Sequence, residues 1–347
     1  MHLVKMWEEI LEQPAVLKGC IDINREAIKS IVGELGAREI DSVVIAARGT
    51  SDHAGVYGKY VIEYAAGLPV SLAAPSIYTV YGRKVKLEKS LVIGISQSGK
   101  AEDVLQVLKS AGESGALTVS ITNDEASPLA ATARYHLYCG AGVEKSVAAT
   151  KTFTSQMYVL AWLVAEWTGN EEMKAELEQV PGEMLSLFAQ AEDIKSKVQR
   201  YRYINECFVL GRGINYSITL EAALKIQETN YVRAKAYATS DFYHGPFAMV
   251  EKDMPVMLFA PEGPSLEDLS EMAAKLKAVQ AELLIVSNNE ELLELAQCAF
   301  RIPRTSSDII SPFYNVVIAQ MFACQLALAK GLDPDAPRGL KKVTITR

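Results

Sequence analysis

Ser96-Gln97-Ser98-Gly99 closes an otherwise apolar run, Ser90 to Ile95, with two hydroxyls, an amide and a glycine, and a helical pattern follows from Ala101. In an open parallel sheet, ligands lie beyond the carboxyl ends of the strands. Helix N-termini there present N–H groups without helical partners and a positive partial charge, which suits a phosphate. Ser96, Gln97 and Ser98 add side-chain donors, and Gly99 lets the backbone come close. Arg48-Gly49-Thr50-Ser51-Asp52 repeats this arrangement after an earlier apolar run, and Ser146–Gln156 offers a third polar loop that contains Val147 and Ala148. The chemistry such loops could do is capture of a phosphate monoester by mainly neutral donors. The alternative is that these hydroxyls only cap helices. Two such loops in one half of the chain favour the ligand.

The residues able to move protons come later. Glu221, Lys225 and Glu228 in TLEAALKIQETNY recur at i, i+4 and i+7, which places them on one helical face. A solvated, ion-paired face is the alternative. Against it, the helix directly follows a Gly-Arg-Gly turn, and Leu220, Ala223, Leu224 and Ile226 already supply apolar packing. Glu228 beside Lys225 is a carboxylate fit to carry a proton between adjacent carbons of an open-chain sugar. His244 precedes Gly245-Pro246 and so belongs to a turn. It is either a structural hydrogen-bonder or the group best suited to opening a sugar ring. Lys341 and Lys342 follow Arg338 in a tail of the kind that is usually solvated. Val343-Thr344-Ile345 after them has strand-like apolar character, which predicts that the tail docks.

The elements that must hold these groups read as α/β. Short β-branched runs alternate with amphipathic stretches, which predicts a parallel sheet. SVVIAARG, PVSLAA, SLVIGIS, ALTVSIT and RYHLYC are the strand candidates of the first half, with helices over Asp52–Ala66 and Ala101–Ser110. CFVLGRG, DMPVMLFAP, ELLIVSN and CAFRIP replay that order about 164 residues later. That period fits two domain-sized copies rather than a solenoid. The predicted organisation is an N-terminal helical segment (1–34), a first domain (35–168), a helical linker (169–197), a second domain (198–331) and a C-terminal tail (332–347). The second copy has APEGPS where the first has SQSGKA, so one phosphate site per chain is expected.

Composition narrows the function classes. The 347 residues are 49% hydrophobic and 22% charged, with a net charge of −7, which argues against nucleic acid or an anionic membrane as partner. No run approaches the ~20 apolar residues of a membrane span, and MHLVKMWEEILEQPAVLKG is too charged for a signal peptide. A cytoplasmic protein is expected. Five scattered cysteines without a CxxC pair predict reduced core thiols, and four histidines without HExxH or HxxxH spacing predict no metal. There is no GxxxxGK[ST], and GRGINY has Tyr216 where a dinucleotide fingerprint needs a small residue, which argues against a nicotinamide cofactor.

ARGTSD, ISQSGKAED, EKSVAATKTF, LEAALKIQE, HGPFAMV and PRGLKKVTI occur here in the order found in the double sugar-isomerase (SIS) domain family. The resemblance covers nearly the whole chain. The chain resembles the isomerase half of glucosamine-6-phosphate synthases, and more closely the stand-alone glucosamine-6-phosphate deaminases. The resemblance implies two tandem SIS domains, each a doubly wound, mostly parallel five-stranded sheet flanked by helices in a flavodoxin-like three-layer sandwich. It implies that Thr50, Ser51, Ser96, Gln97 and Ser98 hold the phosphate, with Val147, Ala148 and Lys341 also at the substrate. It assigns Glu228 the proton shuttle between C2 and C1, with Lys225 beside it. His244 would open the ring from the neighbouring subunit of a homodimer, and Lys342, on a tail that covers the sugar, would stabilise oxygen charge at C1–C2.

Several positions depart from the synthase pattern. Lys100-Ala101 replaces Glu-Thr, which removes one phosphate-binding hydroxyl. Lys341 replaces Ala, and Lys145-Ser146 is what deaminase-like members carry. A glutaminase domain, which would expose a cysteine after the initiator Met, is not expected, since His2 stands there. The implied reaction is glucosamine 6-phosphate plus water giving fructose 6-phosphate and ammonia, with no cofactor. Three alternatives stand beside it: a synthase-like isomerase using external ammonia, a 6-phospho-fructosamine deglycase, and a non-catalytic sugar-phosphate sensor.

Overall fold

Ten strands form two five-stranded sheets among residues 4–342, which the computed structural model describes. β1 (Ser42–Ala46), β2 (Val70–Leu72), β3 (Ser90–Ser96), β4 (Leu117–Thr122) and β5 (Tyr135–Tyr138) lie in the order β2-β1-β3-β4-β5, every pair parallel. All seven residues of β3 are buried. That is the state of a central strand covered by helices on both faces, and the reason it reads as one continuous apolar run. β6 (Glu206–Gly211), β7 (Arg233–Ala238), β8 (Pro255–Phe259), β9 (Glu282–Ser287) and β10 (Cys298–Arg301) lie in the order β10-β9-β8-β6-β7, again parallel throughout. Taken from the other edge, this is the winding of the first sheet. The α/β duplication expected from sequence is therefore present.

Two compact units contain the sheets. One comprises Ala15–Glu144, Lys151–Gln179 and the chain from Lys341. The other comprises the chain up to Pro14, Lys145–Thr150 and Val180–Leu340. In the first-sheet unit the Thr50–Ala66 helix packs on Lys151–Thr168, which is buried without interruption from Lys151 to Ala165. In the second-sheet unit the Tyr216–Asn230 helix packs on Ser311–Ala329. Glu171–Met184 and Ala191–Lys197 are helical, and Lys5–Ala37 is a single helix.

Four features depart from expectation. Residues 151–156, expected within a polar loop, open the buried Lys151–Thr168 helix, and only the residues before them form the loop. β7, RAKAYA, escapes notice because alanine is a poor strand former and its lysine and arginine mark an edge. The Thr50–Ala66 helix begins two residues before the expected Asp52, so Thr50 and Ser51 occupy its first turn. Ser311–Ala329 is long and apolar enough to cross a membrane by length and composition, contrary to the expectation that no run approaches that length. It is 83% buried in the fold. A helix with no polar face of its own is what the interior of a large α/β unit requires.

Residues 331–342 form turns and bends rather than a helix or strand. Asp335 accepts hydrogen bonds from the backbone N–H groups of Lys5 and Met6, 2.8 Å each, and so caps the first helix from a distant part of the chain. The strand-like Val343-Thr344-Ile345 lies outside the described residues, as does His2.

Candidate functional site

Register places Ala46 of β1 opposite Gly94 of β3, so the loops after these strands leave the sheet side by side. Strand order reverses here, and such a crevice is where doubly wound sheets bind ligands. Thr50, Ser51, Ser96, Gln97 and Ser98 are thus brought to one end of one sheet. The second loop is a fixed turn. Gly99 N–H donates to the Ser96 carbonyl and hydroxyl at 3.2 Å each, Asn123 N–H to the Gln97 carbonyl at 2.9 Å, and Leu129 N–H to the Gly99 carbonyl at 3.1 Å. Ser96 is buried, Gln97 and Ser98 are half-buried, and Lys100 is exposed. Ser51 is buried and accepts a 3.1 Å hydrogen bond from Gln156 Nε2.

Two glycines carry the turns. Gly49 sits at φ 56°, just before the first helix, and Gly99 at φ 62°. A Cβ on Gly99 would run into the Ser127 side chain. Gly99→Ala is therefore expected to destabilise the protein by at least about 1–2 kcal/mol, from the left-handed backbone alone. It should also weaken phosphate binding. Thermal melts with and without inorganic phosphate check both.

A brace next to this crevice was not anticipated from sequence. Arg48 Nε meets Asp103 Oδ2 at 2.5 Å, which joins the β1 loop to the first turn of the Glu102–Glu113 helix. The second copy repeats it, with Arg212 Nε 3.6 Å from Asp268 Oδ2. The available signal was Arg-Gly after each first strand with Glu-Asp opening a later helix, Glu102-Asp103 and Glu267-Asp268. In the first-sheet unit Lys342 Nζ lies 2.7 Å from Glu144 Oε2, while Lys341 is exposed.

The second-sheet unit holds the remaining candidates. On the Tyr216–Asn230 helix, Lys225 Nζ lies 2.6 Å from Glu228 Oε2 and 3.3 Å from Glu221 Oε1. The solvated-face alternative fails: Lys225 and Glu221 are fully buried, and Glu228 keeps 22% of its side chain exposed. Burial on its own would push the Lys225 pKa down, but the two carboxylates together outweigh it and raise it. Lys225 therefore stays cationic. Glu228 is the partly accessible carboxylate of the group. His244 is exposed on the turn between Thr239–Phe242 and Pro246–Met249, with its N–H on the Asp241 carbonyl.

Val147 and Ala148 lie in a loop organised by Glu9, another residue that sequence did not single out. The Glu9 carboxylate accepts from the N–H groups of Lys145 and Ser146 and from the Ser146 hydroxyl. The Ser146 hydroxyl also lies 2.9 Å from the Ala148 carbonyl, and Val147 N–H reaches the Asp335 carbonyl at 3.4 Å. Ser146 is thus a buried structural residue. All five cysteines are buried and unpaired. Among the described residues, no group of three His, Cys, Asp or Glu side chains is placed to hold a metal.

The SIS domain pattern matches residues 38–166 and again 202–330. The chain belongs to the SIS-domain family. Its two SIS domains coincide with the two parallel sheets. The chain is 35% identical over 344 residues to a glutamine–fructose-6-phosphate aminotransferase [isomerizing] of Aquifex aeolicus, covering 98% of this chain and 57% of that protein. It therefore spans little more than half the length of that relative. Among solved structures, the C-terminal domain of glucosamine-fructose-6-phosphate aminotransferase from Francisella tularensis superposes with a TM-score of 0.85 at 26% identity, covering 97% of this chain and 99% of that one. A glucosamine-6-phosphate deaminase from Thermotoga maritima gives a TM-score of 0.80 at 22% identity, covering 99% of this chain and 100% of that one, and shares the fold. The curated name matches the synthase-like alternative better than the deaminase reading.

Proposed function

We propose that this chain is an amino-sugar-phosphate isomerase of the synthase-like kind, which converts fructose 6-phosphate and ammonia to glucosamine 6-phosphate and water. The observation that carries this reading is Lys225 enclosed by Glu221 and Glu228 on the helix after β6, in a chain whose 35%-identical relative is named as an isomerizing aminotransferase. The lysine keeps a carboxylate in place in a low-dielectric setting and leaves it free to accept a carbon-bound proton.

In this reading the phosphate is held by Thr50, Ser51, Ser96, Gln97 and Ser98, with Val147, Ala148 and Lys341 as further substrate contacts. Ammonia adds to the C2 carbonyl and water leaves, giving the imine. Glu228 then takes a proton from C1 and returns it to C2, while the imine nitrogen gains a proton and the C1 hydroxyl gives one up, which converts the ketose imine to the amino aldose. The Lys342 cation stabilises the negative charge that develops on oxygen. His244 exchanges the proton that opens and closes the ring, and its exposed position suits supply to a second subunit of a homodimer. The chemistry rests on carbonyl and imine tautomerism and calls on no cofactor.

The test is a two-way assay by NMR. Fructose 6-phosphate with ammonium chloride is expected to give glucosamine 6-phosphate. Net ammonia release from glucosamine 6-phosphate as the dominant flux would reverse the physiological sense. Amino-acid release from a 6-phospho-fructosamine, without exchange on glucosamine 6-phosphate, would move the assignment to a deglycase. Binding of hexose phosphates without any turnover would leave a sensor.

A further inference from the structure

Glu144 lies in the unit that contains the first sheet, and its side chain is fully buried. Its Oε1 accepts the Thr152 N–H at 3.1 Å, and its Oε2 accepts the Thr152 hydroxyl at 2.8 Å and Lys342 Nζ at 2.7 Å. The neighbouring pair does the same job one residue earlier, with Lys151 Nζ on the Val143 carbonyl at 3.0 Å. These two cross-links join the residues on either side of Lys145–Thr150. A buried carboxylate is tolerated only when charge and hydrogen bonds compensate it. Here part of that compensation comes from a side chain 198 positions away. Lys342 keeps 24% of its side chain exposed, while Lys341 beside it is exposed. The tail is otherwise held by Asp335 at the first helix and by Arg338. The Arg338 N–H donates to the Tyr231 hydroxyl at 2.8 Å, and its guanidinium stacks 4.0 Å from that ring.

We infer that Glu144 is a positioning residue that selects Lys342, rather than Lys341, as the docked lysine of the tail and sets where its ammonium group stands. A carboxylate rooted by Thr152 in the unit that contains the first sheet offers a fixed anchor, so the Lys342 side chain is held at one position instead of sampling many. The pairing is a property of the fold in its own right. Its link to turnover rests on the role proposed above for Lys342.

Competitive acetylation of the full-length protein, read residue by residue by mass spectrometry, tests the pairing without reference to activity. In the wild type Lys342 should react at least about fivefold more slowly than Lys341. In Glu144→Gln, which keeps the shape and a Thr152 contact, the two should approach equality, and Glu144→Asp should fall between. An unchanged ratio in Glu144→Gln overturns the inference. Should Glu144→Gln fail to fold, the pair is read from the tail: Lys342→Met should lower the melting temperature and Lys341→Met should not, and equal melts overturn the inference. Kinetics then separate the two readings. If Glu144 acts through Lys342, Glu144→Gln lowers kcat and has no further effect in a Lys342→Met background. A lost lysine preference with kcat intact keeps the pairing and removes Lys342 from the proposed reaction.

Discussion

Glu228→Gln is expected to lower isomerisation by about 10²–10⁴-fold, the range that a positioned general base supplies. Binding of the hexose phosphate should stay close to wild type. The substitution keeps the shape of the side chain and its place next to Lys225, and removes its charge together with the capacity to accept a proton from carbon, while Glu221 still pairs with the lysine. The loss should fall on kcat rather than KM, because the phosphate contacts are assigned to the loops of the other sheet. Turnover measured in both directions, together with calorimetric binding of fructose 6-phosphate, checks this. A variant with full activity would show that Glu228 does not carry the proton.

Lys225→Met is expected to act first on stability. It withdraws the cation from between Glu221, which is fully buried, and Glu228. Breaking a buried ion pair from one side costs about 3–5 kcal/mol. For a chain of this size that is a fall in melting temperature on the order of 10 °C. Adding Glu221→Gln to the variant should recover part of the loss, since the carboxylate left behind then disappears. The pH dependence has a definite sign. The folded-state pKa of Lys225 is raised above its ordinary value of 10.5, so its contribution is complete below that value and fades as pH rises through the folded value. The stability gap between wild type and Lys225→Met should therefore be flat through neutrality and narrow only in strong alkali. Denaturant melts across pH measure it.

The parts of the molecule that sequence made legible are those whose physics is local. The apolar run ending at Ser96 is β3 to the residue, because a strand buried on both faces needs uninterrupted apolar side chains. The spacing of Glu221, Lys225 and Glu228 gave their shared face, although burial of that face could not be read from spacing. Tertiary partners were not legible. Glu9 and Glu144 look like ordinary surface carboxylates in sequence, yet both end up buried, one gathering the N–H groups of a loop and the other holding a lysine. The Arg48–Asp103 brace was hidden for the same reason, since its two residues are 55 positions apart. Its repetition as Arg212–Asp268 is evidence for duplication that becomes visible once strand order is known. β7 was missed because an edge strand can be short, charged and rich in alanine while its neighbour supplies the hydrogen bonds.

The cap that Asp335 places on the first helix has a consequence for the order of events in the cell. Lys5 and Asp335 are 330 positions apart. At a ribosomal speed of about 5–20 residues per second, the carboxylate emerges tens of seconds after the amides it satisfies. Until then the N–H groups of Lys5 and Met6 have only water to pair with. The first turn of that helix is thus made long before the residue that caps it, and it waits on translation rather than on any step of its own folding.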